Sequence, residues 1–330
     1  EQFDLNVLAH VAVKLGIYFL PLVFTPHFRE SSRVRPIQRQ TVTFRRHNRH
    51  YSRQAAQSRP AERTTMKTIL LPIIGDSGME GRLQSALALA LDQKAHLSCA
   101  QILPLPYVLW AGEASGMTYG LMLRDAEGAA KDRRTEIEAK LSKEGASWDW
   151  YVRTGDLVGE LILAARLADI VIVGSGPGDD GKLSHVAADL SVHIPIPVLT
   201  IPNDAPVLDP TGPMMIAWNG SAEAANALRN SLPLISRASK VHLVTVDEAS
   251  SEFPAEDAGI FLSRHGIHAE LRDLDTKTSI EETLESAARD IEASCIIMGA
   301  YGHSRTREMI FGGVTRHMLQ NSAIPLLLSH

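Results

Sequence analysis

Between Met66 and His330 the chain runs through the same order of elements twice, and no other feature constrains its fold as tightly. A first apolar strand, Ile69–Ile74, is echoed by Met214–Asn219, and each leads into a helix of small residues, Leu83–Leu91 and Ala222–Leu232. A second strand follows in each copy, Ala95–Leu103 and Lys240–Val246. After a helical stretch come an alternating strand (Trp148–Arg153; Ile267–Leu271) and another helix (Gly159–Leu167; Ser279–Ile291). A strand buried on both faces follows, Asp169–Gly174 and Cys295–Gly299. Each copy closes on Ile-Pro plus apolar residues, Ile196–Ile201 and Ile324–Leu328.

Strands that alternate with helices need right-handed crossovers, which give a parallel sheet covered on both faces. Runs such as Ile170-Val171-Ile172-Val173 are apolar throughout, as strands in such a sheet are. The expected class is therefore α/β, with two tandem doubly wound, Rossmann-like parallel-sheet domains packed as a pseudo-dimer. The stretch Pro202–Pro213, rich in Pro, Asp and Gly, reads as the linker and divides the chain into 66–206 and 207–330. The first copy carries an insert around Pro104–Leu121, whose Tyr107, Trp110, Met117 and Tyr119 suit a lid or a partner-binding loop.

Residues 1–65 are different material. They hold 11 Lys/Arg against 4 Asp/Glu, whereas the remainder holds 22 against 34. The apolar run Leu5–Phe24 has Glu1 and Asp4 ahead of it where a secretory signal has positive charge, and Lys14 and His10 lie inside it. The tail from Arg29 to Arg63 has little apolar surface to bury, a composition that favours disorder. We expect the biological start at Met66, with 1–65 a non-native or disordered basic extension. Neither a membrane anchor nor a specific nucleic-acid contact is expected. Two widely separated cysteines, Cys99 and Cys295, exclude a disulfide scaffold and fit a reduced, cytoplasmic setting.

In a doubly wound sheet, ligands sit beyond the carboxyl ends of the strands where the strand order reverses. In the second copy that place holds Gly299-x2-Gly302-x9-Gly312, followed by Gly313, Val314 and Thr315. Glycines let the backbone come close to a polyphosphate, and helix N-termini supply N–H donors and positive dipole ends. His303, Arg305 and Arg307 offer charge to neutralise phosphate or simply face solvent. A plain structural turn is the competing reading of such glycines.

This spacing, with the repeat and the Ile-Pro closing strand, resembles the universal stress protein family in its tandem form, over residues 66–330. The resemblance implies an ATP site in the second domain, with or without magnesium, and a stress-response regulatory role. Its nucleotide-binding members carry Gly-x2-Gly-x9-Gly followed by Ser or Thr; here Gly313 takes that last place, with Thr315 two residues on. By the same resemblance Asn219 stands where an acidic residue meets the ribose. Val246 would face adenine through its backbone, and Met298 would lie beside the base or ribose. The implied site is thus Asn219, Val246, Met298, Gly299, Gly302, His303, Gly312, Gly313, Val314 and Thr315. The implied partners are an adenine nucleotide, an unidentified protein and a second copy of the chain. A nucleotide-independent interaction or scaffold protein of the same fold is the alternative.

The matching loop of the first copy misleads two motif searches. Gly176-x4-Gly181-Lys182 resembles a phosphate-binding loop, but Leu183 replaces the magnesium-binding hydroxyl, and Asp179 and Asp180 put carboxylates in the cradle. Ile74 stands in the place of Asn219, so the first copy is expected to be degenerate. No catalytic set assembles. There is no Gly-x-Ser-x-Gly elbow, and His303, His317 and His330 do not make a zinc set. Slow ATP hydrolysis is the most that an enzyme reading supports.

Overall fold

The structure is a computed structural model that describes residues 65–104, 114–176, 182–247, 253–276, 278–302 and 313–330, with the side chains of 104 and 114–123 excepted. All of them belong to one compact unit, Ser58–His330. The basic N-terminal segment up to residue 64, part of the insert (105–113), the first-copy loop 177–181 and the segment His303–Gly312 lie outside the described residues.

Ten strands form one sheet: β1 (Thr68–Pro72), β2 (His96–Pro104), β3 (Ser147–Gly155), β4 (Ile170–Ser175), β5 (Val198–Pro202), β6 (Met214–Ala217), β7 (Val241–Val246), β8 (Ala269–Leu274), β9 (Cys295–Gly299) and β10 (Leu326–Ser329). Their order is β3-β2-β1-β4-β5-β10-β9-β6-β7-β8. Each half is thus laid out alike, and the halves meet at β5 and β10. That one joint is antiparallel, with Thr200, Leu199 and Val198 opposite Leu326, Leu327 and Leu328; every other neighbouring pair is parallel. The observed class is α/β with a predominantly parallel sheet, as the alternation of strands and helices requires.

Burial follows the sequence pattern. All residues of β4, β5 and β10 are buried, whereas β3 and β8 at the sheet edges are largely open and carry Asp149, Arg153, Glu270, Arg272 and Asp273. Charges on an edge strand discourage pairing with another chain. Successive residues of the central strands serve opposite faces, so Ile69, Leu71, Leu199, Ile216, Ile297 and Leu327 share one core. Leu70, Val171, Val198, Met215, Ile296 and Leu328 share the other. Each core runs through both halves without a break. Cys99 and Cys295 are buried, and burial pushes both thiols up to about 12, which leaves them unreactive near neutral pH.

The helices are α1 (Met79–Gln93), α2 (Ala114–Leu141), α3 (Leu157–Ala164), α4 (Lys182–His193), α5 (Ala222–Asn230), α6 (Leu232–Ile235), α7 (Ala255–Arg264), α8 (Ile280–Asp290) and α9 (Gly313–Asn321). Short polar residues start three of them. The side chains of Asp156, Ser221 and Ser279 accept hydrogen bonds from Gly159, Ala224 and Glu282 N–H at 2.9, 3.1 and 3.2 Å. The insert differs from expectation, because its last eight residues, 114–121, are already the first turns of the 28-residue α2. Trp148 and Trp150 pack against the core, and the Arg134 guanidinium lies 5.7 Å from the Trp150 ring.

The joint between the halves is supported on both faces. On one, Arg237 Nε and Nη2 donate to both oxygens of Asp92, and Gln93 donates to the Pro233 carbonyl at 3.2 Å. On the other, Gly176 N–H and the Ser184 hydroxyl both donate to the Leu319 carbonyl at 3.0 Å, tying α4 to α9.

Candidate functional site

Strand order reverses between β1 and β4 in the first half and between β6 and β9 in the second. At the second of these points a cavity of about 250 Å³ opens beyond the ends of β6, β7 and β9. Asn219, Val246, Met298, Gly299, Gly302, Gly313, Val314 and Thr315 all line it. His303 and Gly312 lie outside the described residues. Residues up to 96 positions apart thus converge on one crevice, because parallel strands present all their carboxyl ends to the same edge.

Three local arrangements shape the polar side. Asn219 Oδ1 accepts the Ser221 N–H at 3.1 Å, a turn that leaves the Asn219 amide nitrogen free to donate. Gly299 is needed for close approach: a Cβ there would lie 2.6 Å from Ala224 N and 2.7 Å from the Glu223 carbonyl carbon, so the start of α5 rests on the end of β9. The Tyr301 N–H points to Thr315 Oγ1 at 3.4 Å, linking the first part of the glycine segment to α9. Tyr301 itself is buried with φ of +59°, a left-handed conformation that costs a non-glycine residue roughly 1–3 kcal/mol. The first turn of α9 (Gly313, Val314, Thr315) borders the cavity, and its amides give that rim a positive end.

The opposite side is apolar. Val244, Val246, Met298, Ile280 and Leu284 form a slot between the strand ends and α8. Trp218 closes the floor, held by its indole N–H to the Phe253 carbonyl at 3.1 Å and by a tilted contact with the Phe253 ring.

Glu223, Ser221, Trp218, Ile280 and Leu284 also line the cavity, and reading the sequence by motif missed them. Glu223 matters most. Its Oε2 would lie 2.8 Å from a Cβ on Gly302, so a carboxylate stands in the space that the missing side chain leaves. Its sequence signal was faint: an acid in the first turn of α5, two residues after the capping Ser221, directly behind a strand end.

Part of the matching place in the first half is filled. Arg82, fully buried, donates through both terminal nitrogens to the Asp76 carboxylate, and its Nη1 would lie 2.8 Å from a Cβ on Gly174, the counterpart of Gly299. The Asn203 side chain lies across Gly78 in the same region. An internal cation–anion pair therefore occupies the ground where a ligand's charge would go. Among the described residues no group of three or more His, Cys, Asp or Glu is placed to hold a metal ion. Among them, too, no helix is long and apolar enough to cross a membrane.

Comparisons with known proteins agree with this architecture. A structure of a universal stress protein from Archaeoglobus fulgidus DSM 4304 superposes with a TM-score of 0.65, covering 80% of this chain and 96% of that one at 17% identity. A protein of unknown function from Pseudomonas aeruginosa PAO1 superposes with a TM-score of 0.52, covering 80% and 92% at 14% identity. At such identities these likenesses speak for the fold. A universal stress protein of Synechocystis is 27% identical over 177 residues, 48% of this chain; the match spans 57% of that relative's length. The family model of the universal stress proteins matches residues 211–330, the segment that holds β6 to β10 and the whole lining of the cavity. Over residues 211–330 the chain is similar to the universal stress protein family.

Proposed function

We propose that the cavity at the ends of β6, β7 and β9 binds an adenine nucleotide, ATP by family resemblance. On this reading 66–206 and 207–330 act as two domains, the protein is a stress-response regulator, and occupancy of its second domain alters conformation or partner choice. The observation that carries this reading is the convergence of Asn219, Val246, Met298, Gly299, Gly302, Gly313, Val314 and Thr315 on one crevice. The slot of Val244, Val246, Ile280, Leu284 and Met298 suits the flat, apolar faces of a purine. The Asn219 amide suits a ribose hydroxyl. Gly302 and the start of α9 offer backbone amides to phosphate. A magnesium ion would arrive with the phosphates, as no acidic cluster among the described residues stands ready to hold it. On this reading the first domain does not share the phosphate part of the site, since Arg82 and Asp76 already fill its counterpart.

Equilibrium dialysis with ATP is expected to give one nucleotide per chain. At a ligand concentration about 100-fold above Kd, binding stabilises by about 2.7 kcal/mol. In a domain of this size that raises Tm by roughly 5–10 °C. Absence of binding at millimolar ATP, with and without magnesium, removes the nucleotide reading and leaves the scaffold one.

Glu223 gives a second expectation. Two unit charges about 5 Å apart repel by about 1–3 kcal/mol at effective dielectric constants between those of water and a protein surface. Glu223→Gln should therefore tighten ATP binding about 5- to 150-fold in EDTA at low ionic strength, and salt should shrink the gain. Titration of both proteins at two salt concentrations checks this; unchanged or weaker binding by the variant would place the carboxylate away from the phosphates.

A further inference from the structure

The first half holds a cavity of about 340 Å³ beside the Arg82–Asp76 pair, lined in part by Ile74, which stands in the place of Asn219. It lies over the ends of β1 and β2, beneath α2 and beside the start of α3. Most of its wall is aliphatic, including Ile73, Ile102, Leu103 and Leu157. The helix α2 crosses it with Ala126, Ala129 and Ala130, whose small side chains leave the space open.

Among the described residues one charged group lines this apolar space, the guanidinium of Arg133. It lies directly over Gly75 at the end of β1; a Cβ on Gly75 would come within 2.0 Å of Nη2 and 2.5 Å of Cζ, so only glycine lets it lie there. Among the described residues nothing hydrogen-bonds or ion-pairs with Arg133. The nearby strand-end carboxylates are engaged elsewhere. Asp76 binds Arg82, Asp156 caps α3, and Glu160 pairs with Arg153 at 3.1 Å. Gln101, the buried amide in the wall, already donates its Nε2 to the Ala130 carbonyl at 3.0 Å. A positive charge in the wall of an aliphatic cavity calls for an anion with an apolar body. One guanidinium offers the two parallel donors that a carboxylate accepts, and its single charge matches a carboxylate monoanion more closely than a phosphate dianion.

We propose that this cavity is a binding site for a small carboxylate with an apolar body, its carboxyl group on Arg133 and its chain among Ile73, Ile102, Leu103 and Leu157. The cavity volume falls at the low end of small-molecule sites, which suits a chain of about eight carbons. This site is independent of the nucleotide reading, for the two cavities share no residue.

Calorimetric titration of the full chain tests it with octanoate, 1-octanol and ATP as separate titrants, and with octanoate again at saturating ATP. One octanoate per chain is expected, with ATP leaving its affinity unchanged. Arg133→Gln should weaken octanoate at least tenfold. It should leave the weaker binding of 1-octanol unmoved, because only the charged headgroup meets the guanidinium. Equal Tm values for the variant and the parent confirm that the fold is kept, as expected for a side chain without partners among the described residues. Absence of octanoate binding, 1-octanol binding as tight as octanoate, equal affinity in Arg133→Gln, or displacement by ATP each overturns the proposal. A protein that fails to bind ATP but binds octanoate through Arg133 would overturn the nucleotide reading alone.

Discussion

Arg82→Ala is expected to cost about 3–5 kcal/mol of folding stability, the range for breaking a buried ion pair by removing one partner. The reason is asymmetric. Arg82 is fully buried, and both of its terminal nitrogens donate to Asp76, one of them at 2.7 Å. Removing the guanidinium leaves the Asp76 carboxylate, itself only 20% exposed, without a countercharge and opens a void beside Gly174. The pair as a whole contributes far less, because desolvating two charges offsets most of their attraction. The double variant Asp76→Ala/Arg82→Met should therefore regain most of the loss and come within about 1–2 kcal/mol of the parent. Urea denaturation of the three proteins checks both statements through Cm at constant m. A loss under about 1 kcal/mol in Arg82→Ala would show that water reaches Asp76 freely.

Gly302→Val is expected to abolish ATP-dependent stabilisation while moving the Tm of the empty protein by no more than about 2 °C. Among the described residues a side chain at 302 meets only the far end of Glu223, which can swing away, and Gly302 does not adopt a left-handed backbone. It would, however, stand in the space proposed for phosphate. Gly299→Val makes the contrast. Its Cβ would strike the backbone of residues 223 and 224, which cannot move without lifting α5 off β9, and overpacking of this kind costs about 1–3 kcal/mol or more. Differential scanning calorimetry of both variants with and without ATP separates the two roles. If Gly302→Val keeps its full ATP shift, the glycine serves only the turn, and the phosphate assignment falls with it.

The parts of this molecule that could be read in advance are those whose physics is local. Continuous runs such as Ile170–Val173 and Leu326–Leu328 announce strands buried on both faces, and the alternating charges of Glu270 and Arg272 fit an open edge. The glycine spacing after β9 marked the cavity, because a strand end, a sharp turn and a helix start lie within a few residues of each other. Element ends were less legible. The second copy's helix, read as Ala222–Leu232, breaks at Ser231 into α5 and α6, since Pro233 lacks the N–H that a continuous helix needs. The insert hid the start of α2, whose Gly116, Thr118 and Gly120 carry little helical signal of their own.

The order of secondary structure, the two-fold repeat and the residue types at the second-half crevice were properties of the amino-acid sequence alone. Each depends on periodicity and backbone preference within a dozen residues. Tertiary structure decided the rest. The antiparallel joint of Leu199 with Leu327 links residues 128 positions apart, and no local pattern distinguishes it from a parallel one. The same holds for the carboxylate of Glu223 against Gly302, for the guanidinium of Arg82 beside Gly174, and for Arg133 lying over Gly75. In each of these a long, flexible side chain enters the space left by a distant glycine, and only the packing of whole elements sets which side chain arrives there.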